Sequence, residues 1–113
     1  MSTSHITTHV LDTALGRPAE GVAVELDGHT GGQWVLLASG ITDAQGRVKD
    51  LGPERLESGN YRLRFNTGAY FGGLNTESFF PEVSLTFTLD HAEEHYHVPL
   101  LLSPFAFSTY RGS

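Results

Sequence analysis

From Glu82 to Leu89 apolar and polar residues alternate without a break. Val83, Leu85, Phe87 and Leu89 share one face, and Ser84, Thr86 and Thr88 lie on the other. A period of two marks a half-buried antiparallel strand, with one face to a core and one to water. Val22 to Leu26 and Tyr61 to Phe65 alternate in the same way. Trp34 to Ala38 is instead a continuous apolar run, which predicts a strand covered on both sides. Turn chemistry separates these runs at Asp27-Gly28, Gly31-Gly32, Asp43 to Gly46 and Ser58-Gly59. Strands at this spacing predict a two-sheet antiparallel β-sandwich forming a single domain over residues 1–113. One short helix is expected near Thr67 to Leu74, weakened by Gly68, Gly72 and Gly73.

The two ends of the chain break the usual pattern. In Ser4 to Asp12 one parity gives Ile6, Thr8 and Val10, a sound core face, while the other gives His5, Thr7, His9 and Leu11. In His95 to Leu102 the core parity is Tyr96, Val98, Leu100 and Leu102, and its reverse carries His95, His97, Pro99 and Leu101. Ala106, Ser108, Tyr110 and Gly112 share a face opposite Phe105 and Phe107. Outer sheet faces are normally more charged than this. Faces that mix histidine with Leu11, Pro99, Leu101 and Tyr110 predict burial against another subunit, with histidines lining the interface.

Composition narrows the function classes. A chain of 113 residues is long enough to bury its own core, and without cysteine it has no disulfide framework. The net charge of -6 lacks the basic face that nucleic acid or anionic lipid requires. No basic leader followed by an apolar run opens the chain, and no stretch approaches the roughly 20 apolar residues of a membrane span. A cytoplasmic location is therefore expected. Six arginines stand against the single Lys49; this fits either bidentate recognition or plain genomic composition.

Local chemistry alone is sparse. His5 and His9 would stand roughly 13 Å apart on a strand, too far to share a metal ion. His95 and His97, at roughly 7 Å, could share one, but no acidic residue shares their face to complete the shell. There is no Gly-x-Ser-x-Gly elbow, P-loop or Gly-x-Gly-x-x-Gly motif. Arg62 and Arg64 read as surface residues of a strand, and Asp90, Glu93 and Glu94 as a solvated acidic loop.

Five segments carry a resemblance. Thr8-His-Val-Leu-Asp-Thr-Ala-Leu-Gly-Arg-Pro-Ala19, Thr42-Asp-Ala-Gln-Gly-Arg47, Phe79-Phe-Pro-Glu-Val83, His95-Tyr-His-Val-Pro-Leu-Leu-Leu-Ser-Pro104 and Ser108-Thr-Tyr-Arg-Gly-Ser113 occur in order along the chain. Together they resemble the transthyretin-related 5-hydroxyisourate hydrolases. The terminal Tyr-Arg-Gly-Ser is the most specific of them, because the hormone carrier transthyretin shares the fold without that tetrapeptide or these histidines. The resemblance implies a transthyretin-type sandwich, a homotetramer built as a dimer of dimers, and active sites in a channel between the dimers. It implies hydrolysis of 5-hydroxyisourate to 2-oxo-4-hydroxy-4-carboxy-5-ureidoimidazoline, with no metal or organic cofactor.

Carried over by motif, the expected catalytic residues are His9, Arg47, His97 and Ser113, and the expected substrate-binding residues are Tyr110, Arg111 and Gly112. Opening a cyclic amide needs an activated water, a stabilised oxyanion and a proton for the departing nitrogen. Histidine can act as base or acid near neutrality, and either His9 or His97 can fill the base role. Arg47, with Arg111, would clamp substrate and oxyanion, while Tyr110 and Ser113 position substrate or water. Parity places Arg111 on the face opposite Tyr110, so it either turns with the tail or serves the structure. His5 and His95 read as structural or peripheral. The family commonly has tyrosine where this chain has Phe107, a position of core parity. The alternatives are a transthyretin-type carrier without catalysis and a metal-dependent enzyme using His95 and His97.

Overall fold

A computed structural model describes residues 3–112. Within them the chain forms β1 (Ile6–Asp12), β2 (Arg17–Pro18), β3 (Ala23–Thr30), β4 (Gln33–Ile41), β5 (Arg47–Val48) and β6 (Gly59–Phe65). These are followed by α1 (Thr67–Gly73), β7 (Val83–Leu89), β8 (Tyr96–Ser103) and β9 (Ala106–Thr109). One sheet runs β2-β1-β8-β9, with β5 pairing the same edge of β1 beside β2; the other runs β4-β3-β6-β7. All pairings are antiparallel except β1 with β8, which are parallel.

The core lies between the sheets and follows the alternation. Ile6, Val10, Tyr96, Val98, Leu100 and Leu102 of one sheet face Val24, Leu26, Leu63, Phe65, Val83 and Leu89 of the other, all buried. On β7 the expected faces separate cleanly: Ser84, Thr86 and Thr88 are exposed and Leu85 and Phe87 pack against the core. The helix forms where expected. The Asn66 side chain caps it by accepting from the Ala69 amide, and Phe71 anchors it to the core. Asp12 ties this helix to the first sheet. Its Oδ1 accepts from the Ala14 and Leu15 amides and its Oδ2 from the Tyr70 hydroxyl at 2.7 Å. Burial, reinforced by that bond, pushes the Tyr70 phenol up to about 12.

Two sequence expectations are corrected. Trp34 to Ala38 is not covered on both sides: β4 is an edge strand, leaving Val35, Leu36 and Leu37 between 41% and 53% exposed. Apolar composition reports the wish for burial, not the strand's position in the sheet. Asp27-Gly28 is not a turn either, since both residues lie inside β3, where the β4 register shifts between Leu26 and Asp27. Arg62 and Arg64 are more than surface residues. Both donate to the Asp27 carboxylate, at 2.8 and 2.7 Å, which lets an acid sit 2% exposed in mid-strand.

Candidate active site

Parallel pairing of β1 with β8 sets Thr7 opposite His97, His9 opposite Pro99 and Leu11 opposite Leu101. Paired residues point the same way, so these six side chains share the sheet's outer face. On the other side of β1, β5 sets Arg47 opposite His9. His9 thus stands between Arg47 and Pro99, with His97 its diagonal neighbour across the strand pair.

A tight turn makes this placement. The Asp43 Oδ1 accepts from the Gln45 and Arg47 amides at 2.9 and 3.0 Å, and these bonds, the Arg47 amide foremost, hold the carboxyl below its ordinary range. Gly46 has φ +77°, and a Cβ there would fall 2.3 Å from the Val10 carbonyl oxygen, so only glycine lets the turn lie this close to β1. The turn's product is the Gln45 carbonyl, which accepts from His9 Nε2 at 2.8 Å. A carbonyl can only accept, so His9 carries a proton on Nε2, and in the neutral ring Nδ1 is the lone pair.

His97 is half-buried, and its Nδ1 lies 2.8 Å from the Thr7 hydroxyl. Burial lowers its pKa, and His9, His95 and the Arg47 charge lower it further, so the ring is neutral at pH 7. Among the described residues nothing bonds its Nε2. Gly112 lies against this ring: its amide donates to the His97 carbonyl at 2.7 Å, and a Cβ on it would come within 2.8 Å of His97 Cδ2. The bridge from His97 to Gly112 continues the register in which Leu100 faces Thr109, and the same register sets Tyr110 across from Pro99. Among the described residues no carboxylate lies within ion-pair distance of the Arg47 guanidinium.

His9, Arg47, His97 and Gly112 therefore come together, with Tyr110 beside them and 58% exposed. Arg111 does not join them. Its guanidinium lies 4.1 Å over the Tyr96 ring and bonds Glu94 at 3.0 Å, on the face that parity assigns. Of the two arginines expected to act together, only Arg47 therefore lies on the face of His9 and His97. Ser113 lies outside the described residues. His5 is structural: its Nδ1 accepts from the Leu56 amide and its Nε2 donates to the Glu94 carbonyl. His95 is less peripheral than expected, because its Nε2 lies 3.0 Å from the same Thr7 hydroxyl. Thr7 and the Gln45 carbonyl were missed from sequence. Thr7 shares the parity of His9 and could have been noticed; a backbone carbonyl leaves no such trace.

Thr7, Arg47, Lys49, His95 and His97 border a shallow depression of about 340 Å³. Among the described residues no three His, Asp or Glu side chains converge as metal ligands would. What converges instead is two imidazoles and one guanidinium, a set able to move a proton and bind a developing anion.

Residues 6–112 match the family model described as HIUase/Transthyretin family. The chain belongs to the HIUase/transthyretin family. Within it, the chain is 46% identical over 109 residues to the 5-hydroxyisourate hydrolase of Salmonella dublin, covering 96% of this chain and 80% of that protein. The structure of Klebsiella pneumoniae 5-hydroxyisourate hydrolase superposes with a TM-score of 0.85 at 39% identity, covering 96% and 98% of the two chains. Sea bream transthyretin in complex with thyroxine gives 0.90 at 33% identity, covering 95% and 93%. The HIUase/transthyretin fold is thus common to a hydrolase and a thyroxine-binding protein, and the side chains on the outer face must separate them.

Proposed function

We propose that this chain hydrolyses 5-hydroxyisourate to 2-oxo-4-hydroxy-4-carboxy-5-ureidoimidazoline, in urate catabolism, with water as nucleophile. The observation that carries the reading is the union of His9, Arg47 and His97 on an outer face whose relatives are hydrolases of that name. A thyroxine-type ligand gives no use for two imidazoles beside a guanidinium that no carboxylate of the described residues pairs.

In this reading one imidazole lone pair, His97 Nε2 or His9 Nδ1, takes a proton from water as the water oxygen bonds to the ring carbonyl carbon. Arg47 stabilises the oxyanion that results, and the C–N bond breaks as the proton passes to the departing ring nitrogen. Tyr110 and Gly112 position substrate, and Ser113 keeps the catalytic, positioning role that the terminal motif implies for it. Arg111 acts at one remove, holding the tail through Glu94 and Tyr96. No cofactor takes part.

The half-buried Leu11 and Leu101 and the exposed Tyr110 on that outer face support closure of the site by a second subunit, within a homotetramer built as a dimer of dimers. The location proposed with this reading is the cytoplasm. Separately, no helix among the described residues is long and apolar enough to cross a membrane. The test is the absorbance decay of 5-hydroxyisourate generated fresh by urate oxidase, with the spontaneous rate subtracted. Acceleration is expected, with a loss of about 10²–10⁴ in H97N or H9N. A wild-type rate equal to the spontaneous one refutes the proposal. Light scattering on the purified protein checks the tetramer.

A further inference from the structure

The Thr7 hydroxyl sits between two histidines, 2.8 Å from His97 Nδ1 and 3.0 Å from His95 Nε2. Thr7 is only 7% exposed. From this geometry we infer that Thr7 and His95 are positioning residues that fix which nitrogen of His97 carries the proton, leaving His97 Nε2 as a lone pair toward the substrate. The inference rests on the proposed hydrolase reading for its catalytic meaning, but not for its structural content.

Proton counting carries the first step. A hydroxyl has one proton to donate and lone pairs to accept with. With both rings neutral, one ring nitrogen must bring a proton to Thr7 and the other a lone pair. Two N–H groups aimed at the oxygen would strand a buried hydroxyl proton without an acceptor among the described residues, which is unfavourable. Two lone pairs would compete for one proton. Neutrality itself follows from burial, the leading cause that lowers the pKa of both His95 and His97.

Two arrangements survive. In one, Thr7 donates to His97 Nδ1, and His97 turns an N–H outward from Nε2. In the other, His97 Nδ1–H donates to Thr7, Thr7 donates to His95 Nε2, and His97 turns a lone pair outward. Arg47 decides between them. Its permanent charge borders the same depression and acts on the His97 ring, so it favours an outward lone pair over an outward N–H. The pattern is then specific. His97 and His95 are Nδ1–H tautomers, the form free imidazole side chains disfavour. His5 and His9, which donate from Nε2 to the Glu94 and Gln45 carbonyls, are Nε2–H.

The same hydroxyl therefore couples two rings that pair with β1 and its lead-in. His95, at the exposed end, supplies the acceptor that orients Thr7; Thr7 supplies the acceptor that orients His97. Neither residue touches the reacting atoms in this scheme.

Nitrogen-15 imidazole NMR of the full chain at pH 7.5 reads all four tautomers directly, with His5 and His9 as internal references. The expected spectrum has His95 and His97 as Nδ1–H. In T7V both should move toward Nε2–H, and kcat should fall by about tenfold or more with KM changed by less than about twofold. T7S keeps the hydroxyl and should restore both the tautomer and most of kcat. H95F, which removes the acceptor, should shift the His97 tautomer with Thr7 intact. A wild-type His97 in the Nε2–H form overturns the proposal, as does a T7V spectrum identical to wild type, whatever the activity. A shifted tautomer with undiminished turnover would instead support the selection device and count against His97 as the proton-transfer group. Thermal melts of T7V and T7S show whether each variant is folded when read.

Discussion

Replacing Gly112 by alanine adds one methyl group at the point where the tail meets His97. The Cβ would lie 2.8 Å from His97 Cδ2 and 3.4 Å from its Cβ and Cγ. Carbon atoms rest at about 3.5–4.0 Å, so ring or tail must yield by about 0.7 Å or more. If the ring yields, it swings on its 2.8 Å bond to Thr7 and its outer nitrogen moves. If the tail yields, the 2.7 Å bond from the Gly112 amide to the His97 carbonyl stretches, and Tyr110 shifts with it. Either displacement approaches the 1 Å scale at which misplacement costs about 10²-fold, so turnover in G112A should fall by about 10- to 100-fold. The fold should hardly notice. The loss is confined to one backbone hydrogen bond near an exposed tail, about 1 kcal/mol at most. Decay of fresh 5-hydroxyisourate gives the turnover, and a thermal melt gives the stability. An unaltered melt with wild-type turnover would refute the reasoning, because it would mean that the tail need not lie against His97 for the chemistry to run. A collapsed melt would refute it too, by making Gly112 a folding residue.

R47K should retain the charge yet lose about 10²–10³ in turnover, since an ammonium cannot present paired donors to an oxyanion and its neighbour; near-wild-type rates in R47K would reduce Arg47 to a charge. D27A should cost about 2–3 kcal/mol in urea titrations, below the loss for a fully buried pair because Arg62 and Arg64 reach water, and should leave the turnover of folded protein unchanged. Stability should also depend on pH through His95 and His97, whose folded pKa values lie below the 6.5 of the unfolded chain. Their contribution is complete above pH 6.5 and lost as pH falls through the folded values, because there the unfolded state binds more protons. Thermal midpoints should thus decline on acidification below about pH 6.5, and less steeply in H97N; midpoints that rise there would contradict the assigned directions.

What could be read from the chain, and what could not, divides along physical lines. Alternation is local, so Ile6, Thr8 and Val10 and their partners Tyr96, Val98 and Leu100 are assigned to the core from sequence and are buried in the structure. Position within a sheet is not local. Trp34 to Ala38 has the composition of a covered strand and stands at an edge, and Asp27-Gly28 has the composition of a turn and runs through a strand. Thr7 is an ordinary strand residue until a pairing 90 residues away sets it beside His97. For Arg111, motif and parity disagreed, and the structure follows parity.

That last case bears on how function is assigned to such a fold. Superposition is as good on a thyroxine-bound transthyretin as on a hydrolase, so backbone similarity does not choose between carrier and enzyme. Motif membership does not settle individual roles either, since a residue inside the terminal tetrapeptide turns away from the histidines to grip Glu94 and Tyr96. The discriminating information is finer: which atoms remain unbonded on the outer face. A carrier would be expected to leave apolar surface there. This chain leaves the second ring nitrogen of His9, an open nitrogen on His97 and a guanidinium without a carboxylate among the described residues; bonds made behind them hold the two rings, and the Asp43 carboxylate holds the Arg47 backbone. Groups kept free at the front and fastened at the back are what proton transfer and oxyanion binding require.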